Sequence, residues 1–347
     1  MFVEPSPVCT TPPALCDAGT PLPPALRGDR NALGRDSRQA LKRLAGRQPG
    51  RFLLRLAACW IAVGGAIVVA DYYQCLLLRI LAVFFIATRQ NVLALLLHEQ
   101  VHRLAFRSRW GDAFCNLTIA YPLAITVEGY RQIHLAHHRY YFTQRDPDYV
   151  RKQGKEWTFP QRARELLKTF FVIAAGIHTW RLLQSKTRTP SSPGPWARPA
   201  LPWLRLLYYA ILIGLLVGTR TWPRFLAYWV LPLLTAFQVI VHWAAICEHK
   251  YDLINPSIPA STPFIRPRWW ESIVLPNLNF HAYHVYHHWY PAIPYTRLPA
   301  VHELFRREGL VNEQNVFRGY HTYLRYIVTG KHPASAYADG PSKDQVA

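Results

Sequence analysis

The sequence predicts an all-α integral membrane protein: about four transmembrane helices under a cytosolic helical cap that carries a histidine-rich site for two metal ions. Three observations predict it. Apolar residues, half of the 347, are bunched into runs long enough to cross a bilayer. Nine of the 15 histidines fall in or beside three short boxes. The basic residues behind a formal net charge of +20 flank the apolar runs instead of interleaving aromatics in a soluble domain, which fits inside-positive membrane topology and excludes nucleic acid as the partner.

Residues 1–50 are Pro-rich ("PSPVCTTPPAL") and then basic ("RDSRQALKRLAGRQPGR"). Without a short apolar core before a cleavage site they read as a disordered cytosolic tail, not a signal peptide. Residues 51–330 form one membrane domain. Spans are expected near 53–73, 75–97, 202–219 and 225–246, since a helix rising ~1.5 Å per residue needs ~20 residues to cross ~30 Å of hydrocarbon. The run "LLKTFFVIAAGI" is shorter and ends in "HTWRLLQSK", so an interfacial helix is expected near 166–183. Residues 331–347 read as a polar tail. Four spans put both termini, and the segments carrying the boxes, on the cytosolic side. Lacking a fused cytochrome domain or retention signal, the chain points to a bacterial inner membrane. The six cysteines form no C-x-x-C pair, so neither a disulfide framework nor a thiolate metal site is expected.

The boxes carry the chemistry. "HEQVH" places His98 and His102 at i, i+4, on one helix face. "HLAHH" supplies His134, His137 and His138, and "HVYHH" supplies His284, His287 and His288; His249 follows the last apolar run. Taken alone, the first box reads as a zinc protease motif with Glu99 as base. One zinc, however, is satisfied by three protein ligands and a water. Eight or nine imidazoles suit two ions with four or five nitrogen ligands each, and two redox-active irons activating O2 use every box. His281, in "NFHAYH", competes with His284 for the first position of the third box.

In order and in flanking residues, these boxes resemble the membrane fatty acid desaturase superfamily of histidine-box, non-haem diiron enzymes. The resemblance covers about residues 50 to 325. It rests on the three boxes, Tyr130-Arg131 before the second, Asp146-Pro147-Asp148 after it, and "YPAIPYTRLP" after the third. It implies that His98, His102, His134, His137, His138, His284, His287 and His288 are iron ligands, with His249 as the ninth and His281 as the alternative to His284. No catalytic residue is expected beyond the metal centre. Glu99, Asp146, Asp148, Glu248 and Asn279 are the candidates to support the ligands, although Asp146 and Asp148 flank a proline and equally read as turn formers. Where relatives have an asparagine four residues before the ninth histidine, this chain has Ala245.

The function expected is O2-dependent desaturation of a fatty acyl chain. Electrons come from an external donor of ferredoxin or cytochrome type, because no haem, dinucleotide or iron–sulfur motif is present. An acidic ferredoxin would be attracted to basic residues such as Arg139, Arg145 and Lys152. Hydroxylation or ketone formation on a lipid, alkane or carotenoid is the alternative on the same scaffold. An intramembrane zinc protease leaves two boxes unexplained. A metal transporter should place its ligands midway through the bilayer, whereas these cluster at one end of the spans.

Overall fold

The computed structural model describes residues 30–177, 179, 201–313 and 316–332. The stretch expected to be a disordered tail contains a helix, α1 (Arg35–Leu44), which buries Leu41 and turns its basic residues outward. It is tethered at both ends: Gly34 N donates to Glu308 Oε2, and Arg297 Nη1 donates to Leu44 O. Residues 1–29 and most of the expected C-terminal tail lie outside the described residues.

Helix α2 (Pro49–Tyr73) begins with proline at a position whose N–H needs no partner. Gln74, in the left-handed region at φ 49, then reverses the chain into α3 (Leu76–Val101). The 26 residues of α3 rise ~39 Å. That exceeds ~30 Å of hydrocarbon, so the turn carrying His98 stands at one end of the span. Helix α3 is also the most enclosed of the long helices, packing against α2, α5 (Val127–Tyr140) and the later apolar helix.

Short helices α4 (Arg109–Cys115) and α6 (Pro147–Arg151) flank α5. Helix α7 (Ala163–Ala174) starts earlier than the interfacial helix expected near 166–183, and residues 180–200 lie outside the described set. Helix α8 (Pro202–Gly218) is apolar apart from Arg205 and two tyrosine hydroxyls, but it has 17 residues and no buried side chain. Helix α9 (Trp222–Glu248) has 27 residues, with a π-helical stretch at Leu226–Val230 and a break at Thr235. Among the described residues three helices, α2, α3 and α9, are therefore long and apolar enough to cross a membrane; the fourth expected span is the shorter α8. The π-helical stretch sits where polar backbone must be satisfied inside the span, and Gln90 of α3 donates to Trp229 O at 2.9 Å.

After α9 come α10 (Phe280–Trp289), α11 (Leu298–Arg307) and α12 (Tyr320–Thr329), with a parallel pair of two-residue strands, Ile265–Arg266 against Phe317–Arg318. The described elements after α9 thus gather on the face where α3 and α9 finish. One buried ion pair holds that face in register. Arg131 of α5, 1% exposed, donates to Val101 O and Gln100 O at the end of α3 and bidentately to Asp112 of α4, at 2.8 and 2.6 Å. A cation against the last carbonyls of a helix also meets the negative end of its dipole.

Replacing Arg131 with Met takes the side-chain donor from Val101 O and leaves the Asp112 carboxylate without its cation, with the Gln100 amide left to pair it. It should cost about 3 kcal/mol, read as a lower melting temperature in detergent. Arg131→Lys should rescue little, because an ammonium cannot reproduce the fork; wild-type melting in both variants would remove the clamp from the account.

Candidate metal centre

Each box is presented by helical spacing. On α3 the i, i+4 pair His98 and His102 shares one face. Helix α5 starts at Thr126, whose side chain caps Gly129 N, and aims His134, His137 and His138 at the end of α3. Helix α10 enters through Asn279, left-handed at φ 69, and kinks at Tyr283, whose φ is −125. The kink separates His281 from the residues after it. His281 Nδ1 pairs with Tyr320 OH at 2.8 Å and its Nε2 lies 4.0 Å from Glu248, whereas His284, His287 and His288 turn towards the other boxes.

Two sets of ring nitrogens result. Around His98, His102, His134 and His287, His102 Nε2 lies 2.8 Å from His134 Nε2. His138 Nε2 joins this set at 3.0 Å from both His134 and His287. The second set is His137, His249 and His288, with His284 Nε2 at 3.0 Å from His249 and 3.2 Å from His288. His249 Nε2 thus faces His137, His284 and His288 at 3.2, 3.0 and 3.1 Å. A neutral ring nitrogen carries either one proton or one lone pair, so at most one of those approaches is a hydrogen bond. A cation among the lone pairs satisfies all of them. Bonds of ~2.1 Å meeting near right angles give nitrogen–nitrogen edges close to those observed.

Electrostatics prepares the same outcome. Burial first, and the neighbouring imidazoles second, hold His134, His138, His249, His287 and His288 well below the ordinary histidine range. They are neutral and keep their lone pairs near neutral pH.

Asp146 is fully buried. It receives Phe142 N on Oδ2 and Asp148 N and Tyr149 N on Oδ1, and its Oδ2 also takes His137 Nδ1 at 2.8 Å. An acceptor surrounded by donors is an ionised carboxylate, so His137 carries its proton on Nδ1 and presents a bare Nε2. The other proposed supports are placed differently. Glu99 accepts from Tyr295 N; Asp148 pairs with Arg151 and Lys152; Asn279 donates to Tyr295 O; Glu248 lies 4.0 Å from His281. Tyr141 was not singled out from sequence, yet its hydroxyl lies 3.2 Å from His249 Nδ1 and 2.7 Å from Ser261 Oγ. Its signal was an aromatic four residues after His137, on the same face of α5.

The two sets close the end of a cavity of about 1200 Å³. Leu95, Leu233, Phe237 and Val241 form apolar walls, His98, His134, His137, His249 and His284 line the metal end, and Tyr140, Arg145, Arg151 and Lys152 line a polar region. Burial alone would raise the Asp148 carboxyl there, but Lys152 and Arg151 outweigh it and hold the group below its usual range.

Against known proteins, the family model for fatty acid desaturases matches residues 76–318, from the start of α3 to the second short strand. The dihydrorhizobitoxine desaturase of Bradyrhizobium elkanii is 25% identical over 295 residues, covering 78% of this chain and 80% of that protein. All three boxes and His249 lie inside the matched region, and this chain belongs to the fatty acid desaturase family.

Proposed function

We propose that the protein is an O2-dependent desaturase that places a double bond in the acyl chain of an amphiphile at two irons held by His98, His102, His134, His138 and His287 on one side and His137, His249, His284 and His288 on the other. The observation that carries this reading is the convergence of nine ring nitrogens in two adjacent sets, five of whose histidines line a largely apolar cavity. Neutral imidazoles suit iron. Bound there, two irons supply the oxidising power by which O2, two external electrons and two protons, with two hydrogens from the chain, become two waters and an alkene.

The residues themselves perform three tasks. Leu95, Phe237 and Val241 exclude water and align the hydrocarbon. Asp146 fixes the tautomer of His137 and raises its basicity. Arg145, stacked on Tyr140 with its guanidinium carbon 4.1 Å from the ring centre, offers a donor to the polar end of the substrate. The relative is by name a desaturase, which favours desaturation over hydroxylation as the outcome. A zinc protease reading fails on geometry: Glu99 is 3% exposed and hydrogen-bonded to Tyr295 N, so it has no place from which to activate a water. The membrane setting follows from α2, α3 and α9. By the inside-positive rule the basic, box-bearing face is cytosolic, in a bacterial inner membrane, and an external one-electron donor serves it.

Mass spectrometry of total lipids from a host expressing the protein should show a species lighter by two hydrogens, absent with His287→Ala. A species heavier by one oxygen would move the assignment to hydroxylation. Iron analysis separates the third-box candidates. His284→Ala should lose metal while His281→Ala keeps two irons, and the reverse would reassign the ligand. Asp146→Asn should weaken iron binding by about 10–100-fold, measured by chelator competition; unchanged affinity would leave Asp146 a turn former only.

A further inference from the structure

The polar end of the cavity carries charges of both signs. Arg145, Arg151 and Lys152 line it, and so do Asp148, Glu156 and Glu248. Four of these six answer one another. Asp148 Oδ1 lies 2.7 Å from Arg151 and its Oδ2 3.3 Å from Lys152, and Glu248 is the next carboxylate in the field of Lys152. Two cations and two carboxylates thus form a self-neutralised group, which leaves little charge for a ligand to meet.

Arg145 and Glu156 stand outside that group. Both are exposed, and among the described residues neither forms an ion pair. Each is nevertheless held in place. Arg145 Nη2 donates to Tyr140 OH at 2.9 Å, and its guanidinium lies over the same ring. Glu156 precedes Trp157, which is buried against His242 with ring centres 4.3 Å apart, and its carboxylate folds over Gly154. There φ is 132, and a Cβ would sit 2.9 Å from Glu156 Oε2, so only glycine leaves room for that carboxylate. One fixed cation and one fixed carboxylate therefore remain unanswered at the polar end of a largely apolar cavity.

We propose that the cavity takes an acyl chain whose head is a zwitterion, its single anionic group against Arg145 and its ammonium against Glu156. The inference rests on the desaturase reading above and names the class of amphiphile that this reading leaves open. A chain carried on a phosphorylated nucleotide thioester, or on an acidic carrier protein, would bring several negative charges to a mouth that offers one unanswered cation. Specificity then comes from repulsion as well as attraction: Glu156 draws the ammonium and rejects a wholly anionic head. Because Arg145 and Glu156 are already positioned, little ordering is needed when the head arrives.

The test measures binding, not turnover, with three ligands of one chain length. Iron-loaded full-length protein in maltoside micelles is titrated with palmitoyl lysophosphatidylcholine, which is zwitterionic, and with the anionic palmitoyl lysophosphatidylglycerol and palmitoyl coenzyme A, and native mass spectrometry counts what is bound. Wild type should bind the zwitterion about tenfold tighter than either anion, the effect expected of one charge-assisted contact. Arg145→Gln and Glu156→Gln should each weaken zwitterion binding about tenfold with iron content unchanged, and Glu156→Lys should reverse the preference towards the anionic lysolipid. Arg164→Gln, in an exposed pair with Glu165 outside the cavity, should stay within about twofold of wild type, since such pairs contribute little. The proposal is overturned if wild type does not bind the zwitterion, if either anion binds as tightly, or if either glutamine variant binds the zwitterion as wild type does. Selective zwitterion binding without a lighter lipid in the expressing host would count against the desaturase instead, so the two failures are distinguishable.

Discussion

The constraint on which the rest of this structure depends is the burial of many neutral imidazoles with their lone pairs facing one another. Nitrogens 2.8–3.2 Å apart repel unless a proton or a cation lies between them, and burial holds His134, His249 and His287 well below their ordinary range, so each ring keeps a single proton, too few to bridge every pair. Such a centre cannot be assembled by its own attraction until metal arrives. The scaffold must hold the donors together, and most of its distinctive contacts serve that end.

Those contacts lie just outside the donor sets. Arg131 takes the last carbonyls of α3 and the Asp112 carboxylate at once, which fixes the first box relative to the second. Asp146 caps α6 through its backbone donors while holding His137, so one side chain sets both a turn and a tautomer. Tyr141 bridges His249 to Ser261, connecting α5 to the segment after α9. Arg131 and Asp146 are buried and Tyr141 half-buried, each with its partners supplied, and partial satisfaction would make them destabilising.

Much of this was legible in the sequence because helical spacing is a local property. An i, i+4 pair on α3 and an H-x-x-H-H pattern on α5 face one way whatever surrounds them. What was not legible depended on backbone detail or on partners distant in the chain. His281 and His284 both satisfy the spacing, and a kink at Tyr283 separates their directions. Asp146 and Asp148 flank the same proline, yet one meets an imidazole and the other two cations. The basic stretch read as tail is partly a helix because Glu308 and Arg297, more than 250 residues away, hold its ends. The fourth expected span formed as a helix within one residue of its expected end, Pro202–Gly218, but its 17 residues make it shorter than the three long apolar helices among the described residues, a difference that hydropathy, which registers composition, does not carry.

A donor set made only of imidazoles has one further consequence. Neutral ligands cancel none of the charge of the ions they hold, and uncompensated charge in a low-dielectric interior is costly. Carboxylates must then act from a distance, without entering the coordination sphere. Asp146 does so through His137. Glu248, beside His249 in the chain, lines the cavity and lies 4.0 Å from His281, close enough to contribute field without replacing a nitrogen. With ions bound, the arrangement would leave the centre positive on the side that faces the apolar cavity, the setting that the proposed oxidative chemistry needs and a hydrolytic base does not.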